Sequence, residues 1–268
     1  MAVIIRGAGD IATGIALRLH RAGFQIIMTD LPQPTSIRRT VCFSEALRLG
    51  EVLVEDVRAR RTDSAREALD IAGAGEIAVV ADPACALLPE LYPAALVDAI
   101  LAKRNLGTSR DMAPVVIGAG PGFPAGEACH AALGRVLYRG TPIPNTGIPG
   151  IVGGYGLERV LRAPAAGVFE PKMEIGQMVK AGQVAALVGG VPMRCTIDGC
   201  LRGLLQGGLT VPQGMKCGDI DPRCKRDHCF RASDKALAVG GGVLESLLHF
   251  GCRADMLLNE GSGAAFGL

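Results

Sequence analysis

Short apolar runs alternate with segments of helical spacing along the first half of the chain. Between the first two runs, residues 10–21 place apolar side chains every three or four positions, which predicts an amphipathic helix. Strands are predicted at 3–5, 26–28, 51–54, 77–82 and 115–117. Strands that alternate with helices are typical of a parallel sheet with crossover helices. The pattern therefore predicts an α/β fold built on a Rossmann-like parallel sheet.

Three further helices and one further strand are expected in this part of the chain. Ser44 is expected to cap a short helix, and Ser64, with a glutamate three residues later, has the spacing of a capping box. Pro93 suits the first turn of a helix that covers 93–104. Residues 135–138 are predicted to form a strand.

The turn after the first strand has the pattern of a dinucleotide-binding unit. Gly7 permits a tight turn, and Gly9 lets backbone amides approach a phosphate. A helix that begins at Asp10 directs its positive N-terminus toward the anion. Asp30, at the end of the second strand, is placed to accept a hydrogen bond from a ribose hydroxyl. These four residues, together with Gly14, form the predicted nucleotide site.

Two features of this turn depart from the usual pattern. Ala12 stands where a third glycine is expected, and the next glycine is Gly14. Asp10 also places a carboxylate where phosphate would bind, which is unfavourable unless that carboxylate caps the helix. Because this fold also occurs without its cofactor, the pattern predicts the fold without deciding the ligand.

Two other segments supply candidate ligand-binding residues. Arg38 and Arg39 are adjacent, and they are suited to clamp a phosphate or the carboxylate of a pterin-type ligand; a solvated basic turn is the alternative. A second glycine loop, with Gly118, Gly120 and Gly122, follows the fifth predicted strand. Such a loop either forms an anion-binding nest that lines the ligand site or is an ordinary tight crossover.

An internal repeat follows these segments. Four positions recur with an offset of 32 residues, namely Gly167, Gly176, Val179 and Gly182 as Gly199, Gly208, Val211 and Gly214. Two such copies, intertwined, predict a small β barrel-sandwich hybrid, which resembles biotinyl and lipoyl carrier domains. The hairpin at 189–194 contains no lysine that could carry either group. We therefore expect a structural or protein-binding module.

A segment rich in proline and glycine at 142–154 predicts a domain boundary. Near the end of the chain, residues 240–242 are three glycines, each of which disfavours a helix by about 1 kcal/mol. They are expected to turn the chain, or to allow close backbone packing, before a helix from Val243. The predicted domains are a Rossmann-like nucleotide-binding domain at 1–157, the barrel-sandwich hybrid at 158–223 and a C-terminal helical segment at 224–268.

Composition narrows the function classes. A net charge of +2 does not suggest a nucleic-acid partner, and no apolar stretch is long enough to span a bilayer. Nine cysteines without secretory context are expected to be reduced thiols in the cytoplasm, and the early first strand predicts no signal peptide. Four candidate zinc ligands lie close together in the sequence: Cys217, Cys224, His228 and Cys229. Their spacing is not that of zinc ligands, so no metal is predicted there. Among the histidines, His130 is expected nearest the ligand edge.

Eight stretches, spread over nearly the whole chain, form a specific combination. They are 6–14, 37–46, 99–105, 111–114, 120–123, 145–150, 221–223 and 233–245. Together they resemble the selenium-dependent molybdenum hydroxylase system proteins of YqeB type. The chain departs from that family between Glu127 and Leu133, where the family pattern has an extra strand and a longer polar segment.

The resemblance implies an accessory role near molybdenum hydroxylases of the xanthine dehydrogenase type. It also implies that the N-terminal half is similar to the Rossmann part of proteins that insert or mature the molybdenum cofactor. The resemblance identifies no catalytic residue in this chain. The expected ligand is a phosphorylated small molecule, such as NAD(P), another nucleotide or a molybdopterin-type compound. The expected partner is the hydroxylase, and a homo-oligomer stays open. The rival hypothesis is an NAD(P)-dependent oxidoreductase that uses the same turn and Asp30 but has no recognisable proton donor.

Overall fold

A computed structural model of the protein describes residues 2–133, 136–144, 147 and 149–253. Eight strands form its N-terminal sheet: β1 (Ala2–Arg6), β2 (Gln25–Thr29), β3 (Glu51–Val54), β4 (Val57–Thr62), β5 (Ile77–Val80), β6 (Ala95–Asp98), β7 (Val115–Ala119) and β8 (Ala131–Leu133). The helices are α1 (Asp10–Arg21), α2 (Ala46–Leu49), α3 (Ala65–Gly73), α4 (Leu88–Leu91) and α5 (Asp234–His249). Within the described residues, no helix is both long and apolar enough to cross a membrane.

The strand order of this sheet is β3-β4-β5-β2-β1-β6-β7-β8. All neighbouring pairs are parallel except β3 and β4, which are antiparallel. From β1 the chain first moves to one side, to β2, and later returns to the other side, to β6. The strand order therefore reverses beside β1, and such a switch point opens a crevice at the carboxyl ends of the strands.

Helices cover both faces of the parallel sheet. Val3 and Ile5 of β1 belong to the core beneath α1 and α5, whereas Ala2 and Ile4 belong to the core beneath α3 and α4. Successive side chains of a strand point to opposite faces, so a strand covered on both sides is apolar throughout. The predicted α/β fold with a parallel sheet is confirmed at this level.

The expected helix at 93–104 is wrong. Residues 95–98 form β6, whose Leu96 lies opposite Ile4 of β1 and Val116 of β7. Because β6 is buried between two parallel strands, its sequence is a short continuous apolar run, and such a run cannot be distinguished from a buried helix by periodicity. The proline that suggested a helix start instead precedes the strand.

Smaller corrections concern the ends of other elements. Ser44 does not cap α2, because its hydroxyl donates to Ser36 and the residue lies within a 3₁₀ turn. Ser64 does cap α3, where its hydroxyl accepts from the amide of Glu67. The strand expected at 135–138 is instead β8 at 131–133; residues 134 and 135 lie outside the described residues. The sequence did not indicate β4.

The repeat forms a separate antiparallel part, which we call the antiparallel module. Its strands are β9 (Val160–Arg162), β10 (Gly167–Pro171), β11 (Met178–Val179), β12 (Val184–Val188), β13 (Val191–Arg194), β14 (Gly199–Leu204), β15 (Thr210–Val211) and β16 (Lys216–Asp221). They form two four-stranded sheets, β13-β12-β10-β15 and β11-β14-β16-β9. Strands that lie 32 residues apart in the chain, such as β10 and β14 or β12 and β16, occupy equivalent positions in the two sheets. The two strand orders therefore correspond when one of them is read in reverse.

Each copy of the repeat supplies a strand to the other copy's sheet. β15 of the second copy pairs with β10, and β11 of the first copy pairs with β14. The equivalent turn glycines all have positive φ: Gly176 has 96° and Gly208 86°, while Gly182 has 87° and Gly214 80°. Glycine adopts this backbone region without the strain that a Cβ would cause. The repeated glycines therefore occupy equivalent turns, as the repeat predicts.

Helix α5 runs through the three glycines without a break, so the expected turn before Val243 is wrong. The alternative, close backbone packing, is what the structure has. A Cβ at Gly240 would lie 2.8 Å from the Gly14 carbonyl oxygen of α1, and one at Gly14 would lie 2.5 Å from the Ala236 Cβ. The glycines let two helix backbones approach more closely than side chains would permit.

Candidate functional site

A cavity of about 580 Å³ lies at the switch point of the parallel sheet. Its floor includes the carboxyl ends of β1 and β2 and the segment that follows β6. The antiparallel module forms the opposite wall through Arg202, Lys216 and Asp219. The predicted site residues that line the cavity are Gly7, Gly9, Asp10, Asp30 and Arg38.

The glycine turn is fastened by hydrogen bonds within the protein. The Gly7 amide donates to the Thr29 carbonyl at 2.6 Å, and the Ala8 amide donates to Asp30 Oδ2 at 2.7 Å. Asp30 Oδ1 accepts from the Leu31 amide, also at 2.7 Å. Burial raises the pKa of Asp30, and the two backbone hydrogen bonds partly oppose that shift. Asp30 therefore holds the turn in place, and each of its oxygens already has a donor.

Arg38 neutralises the carboxylate at the start of α1. One of its terminal nitrogens, Nη1, lies 2.9 Å from both carboxylate oxygens of Asp10. Nη2 donates to the carbonyl oxygens of His228 and Arg231. The side chain is only 5% exposed, so the alternative of a solvated basic turn is wrong for this residue. The charge of Asp10 is thus compensated by an arginine, while Gly9 is the N-cap of α1.

Several predicted site residues lie away from the cavity lining. Arg39 donates to the Leu204 carbonyl at 2.8 Å and lies 3.6 Å from Glu45, so it joins the parallel sheet to the antiparallel module. Gly14 packs against α5, as described above. The glycines of the second loop accommodate protein rather than ligand: Gly118 packs against Phe123, and Gly122 packs against the backbone of Arg104 and Asn105. Gly120 is also absent from the cavity wall, and a Cβ there would lie 3.4 Å from Leu101 Cδ2.

His130 is not near the ligand edge. Its ring Nδ1 accepts from the amide of Val116, at the amino end of β7, whereas ligand sites in parallel sheets lie at the carboxyl ends. The position just before β8 places it at that opposite edge. The expectation for His130 is therefore wrong.

Arg6 is a site residue that the sequence analysis missed. Its guanidinium donates to Asp98 at 3.2 Å, to Thr108 at 2.8 Å, and to the carbonyls of Pro83 and Leu106. Asp98 is fully buried at the end of β6. The ion pair therefore joins β1 to β6 beneath the cavity and holds the loops around it. The sequence did contain one signal for Arg6, namely a charged residue at the end of an otherwise apolar strand.

The antiparallel module contributes a charged cluster that the sequence analysis did not assign. Asp219 accepts from Arg159 at 3.3 Å and from Arg202 Nε at 2.8 Å. Lys216, three residues before Asp219 at the start of β16, makes no ion pair among the described residues. Lys216 is exposed to solvent. Partial desolvation lowers its pKa, the charge of Asp219 opposes that shift, and the charges of Arg202 and Arg159 add to it. The repeat led us to interpret the module that contains these residues as structural or protein-binding.

The four residues considered as metal ligands are dispersed. Cys217 packs in the core of the antiparallel module, Cys224 is exposed, and His228 Nδ1 lies 3.4 Å from Asp221. Cys229 lies 3.4 Å, sulfur to sulfur, from Cys200. Within the part of the chain that the structure describes, no three His, Cys, Asp or Glu side chains are grouped to hold a metal ion.

The fold and the cavity define an α/β protein with a pocket at the switch point of its sheet and a cationic wall from an antiparallel module. The sequence is 49% identical to "Uncharacterized protein YqeB" of Escherichia coli (strain K12), over 97% of this chain and 48% of that protein. The chain thus spans about half the length of this curated relative. The match agrees with the resemblance to YqeB-type proteins over about half of that protein's length. That protein's name says nothing of selenium or molybdenum.

Two other comparisons add no functional information. No family model matches the chain. A crystal structure of an aspartoacylase family protein from Mesorhizobium loti is 11% identical, with a TM-score of 0.24 over 52% of this chain and 60% of that chain. A likeness at this level supports no conclusion about fold or function.

Proposed function

We propose that the protein binds a phosphorylated small molecule, a nucleotide or a phosphorylated pterin-type compound, in the cavity at the switch point. We propose further that it acts in the cytoplasm as an accessory protein that assembles or supplies the cofactor of a molybdenum hydroxylase of the xanthine dehydrogenase type. The observation that supports ligand binding is the cavity itself, which has a glycine turn on one side and cationic side chains on the other. The hydroxylase partner, and a link to selenium, rest on the resemblance to YqeB-type proteins.

The size and charge of the cavity suit such a ligand. Small-molecule sites typically have volumes of about 300 to 1,000 Å³, and the volume of about 580 Å³ falls within that range. Its wall combines apolar residues such as Ile100 and Leu101 with the charged groups of Arg202 and Lys216. A planar ring system with a phosphate tail needs this combination of apolar and cationic surface.

The rival function, an NAD(P)-dependent oxidoreductase, is less well supported. In dinucleotide-binding units the acid after the second strand binds the ribose, and amides of the turn bind the pyrophosphate. Here both oxygens of Asp30 accept backbone amides, and the amides of Gly7 and Ala8 already donate within the protein. Asp10 also places a carboxylate at the start of α1. These contacts leave fewer groups free for a dinucleotide.

We propose that the antiparallel module is a barrel-sandwich hybrid with a structural or protein-binding role. The exchange of β11 and β15 between the two sheets supports this assignment, since interlocked copies are what the repeat implies. The hairpin between β12 and β13 has no lysine, so we expect no biotin or lipoate on the protein. Intact-mass analysis after expression with the carrier-modifying enzymes tests this directly.

Two experiments test the proposed function. Native mass spectrometry of the purified protein should identify a co-purified phosphorylated compound, and deletion of the gene should lower the molybdenum content and activity of the hydroxylase. A fully metallated, active hydroxylase in the deletion strain would contradict the accessory role. For the rival, calorimetric titration with NAD and NADP is decisive: submicromolar binding that Asp30→Ala abolishes would favour the oxidoreductase.

A further inference from the structure

We infer that Lys216, from the antiparallel module, is the cation that binds the phosphate group of the ligand in this cavity. The inference rests on the proposed function, in that it takes the cavity to hold an anionic ligand. It adds the residue that recognises the anion. It also assigns the antiparallel module a direct part in the binding site.

The cavity contains four cationic side chains, and three of them already have carboxylate partners. Arg6 pairs with Asp98, Arg38 with Asp10, and Arg202 with Asp219. Among the described residues, Lys216 is the cavity cation without such a partner. Its charge is therefore available to a ligand.

Asp219, the carboxylate whose charge acts most strongly on Lys216, is already shared by two arginines. Asp219 is almost fully buried and accepts hydrogen bonds from both Arg159 and Arg202. Asp221, the next carboxylate along β16, is held mainly by Arg223, at 2.9 and 2.7 Å. This end of the cavity thus has more positive than negative charge, and an anionic group placed there would restore the balance.

The carboxylates on the opposite wall do not prevent anion binding. Asp10 is paired with Arg38, and Asp30 accepts two backbone amides. The environment of Lys216 is consistent with this, because partial desolvation and the neighbouring guanidiniums lower its pKa against the opposing charge of Asp219. A bound phosphate would relieve that penalty by favouring the charged ammonium. A lysine acts toward phosphate as a compact point charge, so it suits a terminal phosphate or a pyrophosphate.

The test uses inorganic pyrophosphate as the probe and the full 268-residue chain. Isothermal titration calorimetry should show that Lys216→Met binds pyrophosphate about ten- to a hundredfold more weakly than the unchanged protein, which is the range expected for one charge-assisted hydrogen bond. Lys216→Arg, which keeps the charge, should retain most of the affinity. The matched control is Lys180→Met, because Lys180 lies on the surface of the same module and pairs with Asp198. It should bind as the unchanged protein does.

A second measurement locates the anion without relying on affinity. The chain contains only six lysines, so ¹³C-methylation of their amines gives a resolvable NMR spectrum. Pyrophosphate should shift the Lys216 resonance and raise the pKa of that amine, and it should leave the Lys180 resonance unchanged. This readout applies even if a Lys216 variant is unstable.

The possible failures are distinguishable. Equal pyrophosphate affinity in Lys216→Met and the unchanged protein, with an unmoved Lys216 resonance, would overturn the inference and leave the proposed function standing. Loss of binding in Lys216→Arg equal to that in Lys216→Met would show that the amine is needed for something other than its charge, and would also overturn it. If the Lys216 resonance responds to pyrophosphate but the deletion strain has a normal hydroxylase, the inference holds and the accessory role fails.

Discussion

At the site, Arg38 joins the start of α1 to the segment that precedes α5. It neutralises Asp10 at the start of α1 and donates to the carbonyls of His228 and Arg231, which precede α5. Its side chain is buried, so each lost partner would leave a polar group without water to replace it. Arg38 therefore fixes the geometry of the cavity mouth.

Removal of this guanidinium should destabilise the protein. We expect Arg38→Met to lower the free energy of unfolding by about 2 to 4 kcal/mol. That is somewhat less than the ~3 to 5 kcal/mol for a fully buried ion pair, because the Asp10 side chain is 29% exposed. Arg58→Met is the control, since Arg58 forms an exposed ion pair with Glu51 and should change stability by less than about 1 kcal/mol. Urea denaturation measures both. If the two variants lost the same stability, the pairing with Asp10 would not matter as argued.

At this scale the sequence predicted one wall of the site and missed the other. Gly7, Gly9, Asp10 and Asp30 were identified because a strand, a glycine turn and a helix are contiguous in the chain. Lys216 was not, because it reaches the cavity only through the packing of a module about two hundred residues away in sequence. The spacing of residues along the chain cannot predict such a contact.

Among the elements, the pair of helices α1 and α5 shows how glycine sets the distance between backbones. Gly14 of α1 and Gly240 of α5 face each other, whereas Gly241 is exposed and a Cβ there would meet nothing within 4 Å. Adjacent positions of one helix thus have opposite requirements. The sequence showed three glycines and suggested a break, because helix propensity alone cannot weigh the contact that the glycines permit.

Substitutions at these two positions should have opposite signs. Gly241→Ala should stabilise the protein by up to about 1 kcal/mol, since alanine favours the helix and no neighbour is displaced. Gly240→Ala should destabilise it by about 1 to 3 kcal/mol, because the new Cβ would lie 2.8 Å from a backbone oxygen of α1. Chemical denaturation of both variants checks this. A gain in stability from Gly240→Ala would mean that the helices pack less closely than described.

Local sequence also explains why a helix was predicted where β6 lies. Its four residues are fully buried between β1 and β7, so the polar alternation that marks a half-exposed strand is missing. For β5, which is also buried, the prediction succeeded because its flanks contain turn signals on both sides. Prediction from sequence is therefore weakest for the central strands that form the floor of the cavity.

At the scale of the whole molecule, the repeated turns predict how substitutions of their glycines change the stability of the antiparallel module. Gly182 has φ of 87° and open space around it, so only backbone strain opposes a side chain. Gly182→Val should cost about 2 kcal/mol, and Gly182→Asn less, because asparagine adopts the left-handed region more readily. Hydrogen exchange should become faster in the module, with β1 and β6 unchanged. Equal losses in the two variants would contradict the strain argument.

The cavity belongs to both parts of the molecule, and this has a consequence for the pH dependence of binding. Lys216 must be charged to bind an anion. Its pKa is lowered mainly by partial desolvation, raised in part by Asp219, and lowered again by Arg202 and Arg159, with Asp10 in weaker opposition. Of these groups, only the lysine changes charge over the range from about pH 7 to about pH 10. The affinity for the anion should therefore fall as the pH rises through the lowered pKa of Lys216. This fall should occur at a lower pH than it would for a lysine with an unshifted pKa.

Sulfate is the suitable probe for this effect, because its own charge is constant over that range. Its affinity for the unchanged protein should decrease with rising pH, whereas Lys216→Arg should bind sulfate almost equally throughout, since a guanidinium keeps its proton. Calorimetric titration at several pH values makes the comparison. Parallel pH profiles in the two proteins would mean that some other group controls the anion. Divergent profiles would show that the cation of the antiparallel module completes a site whose floor is the parallel sheet.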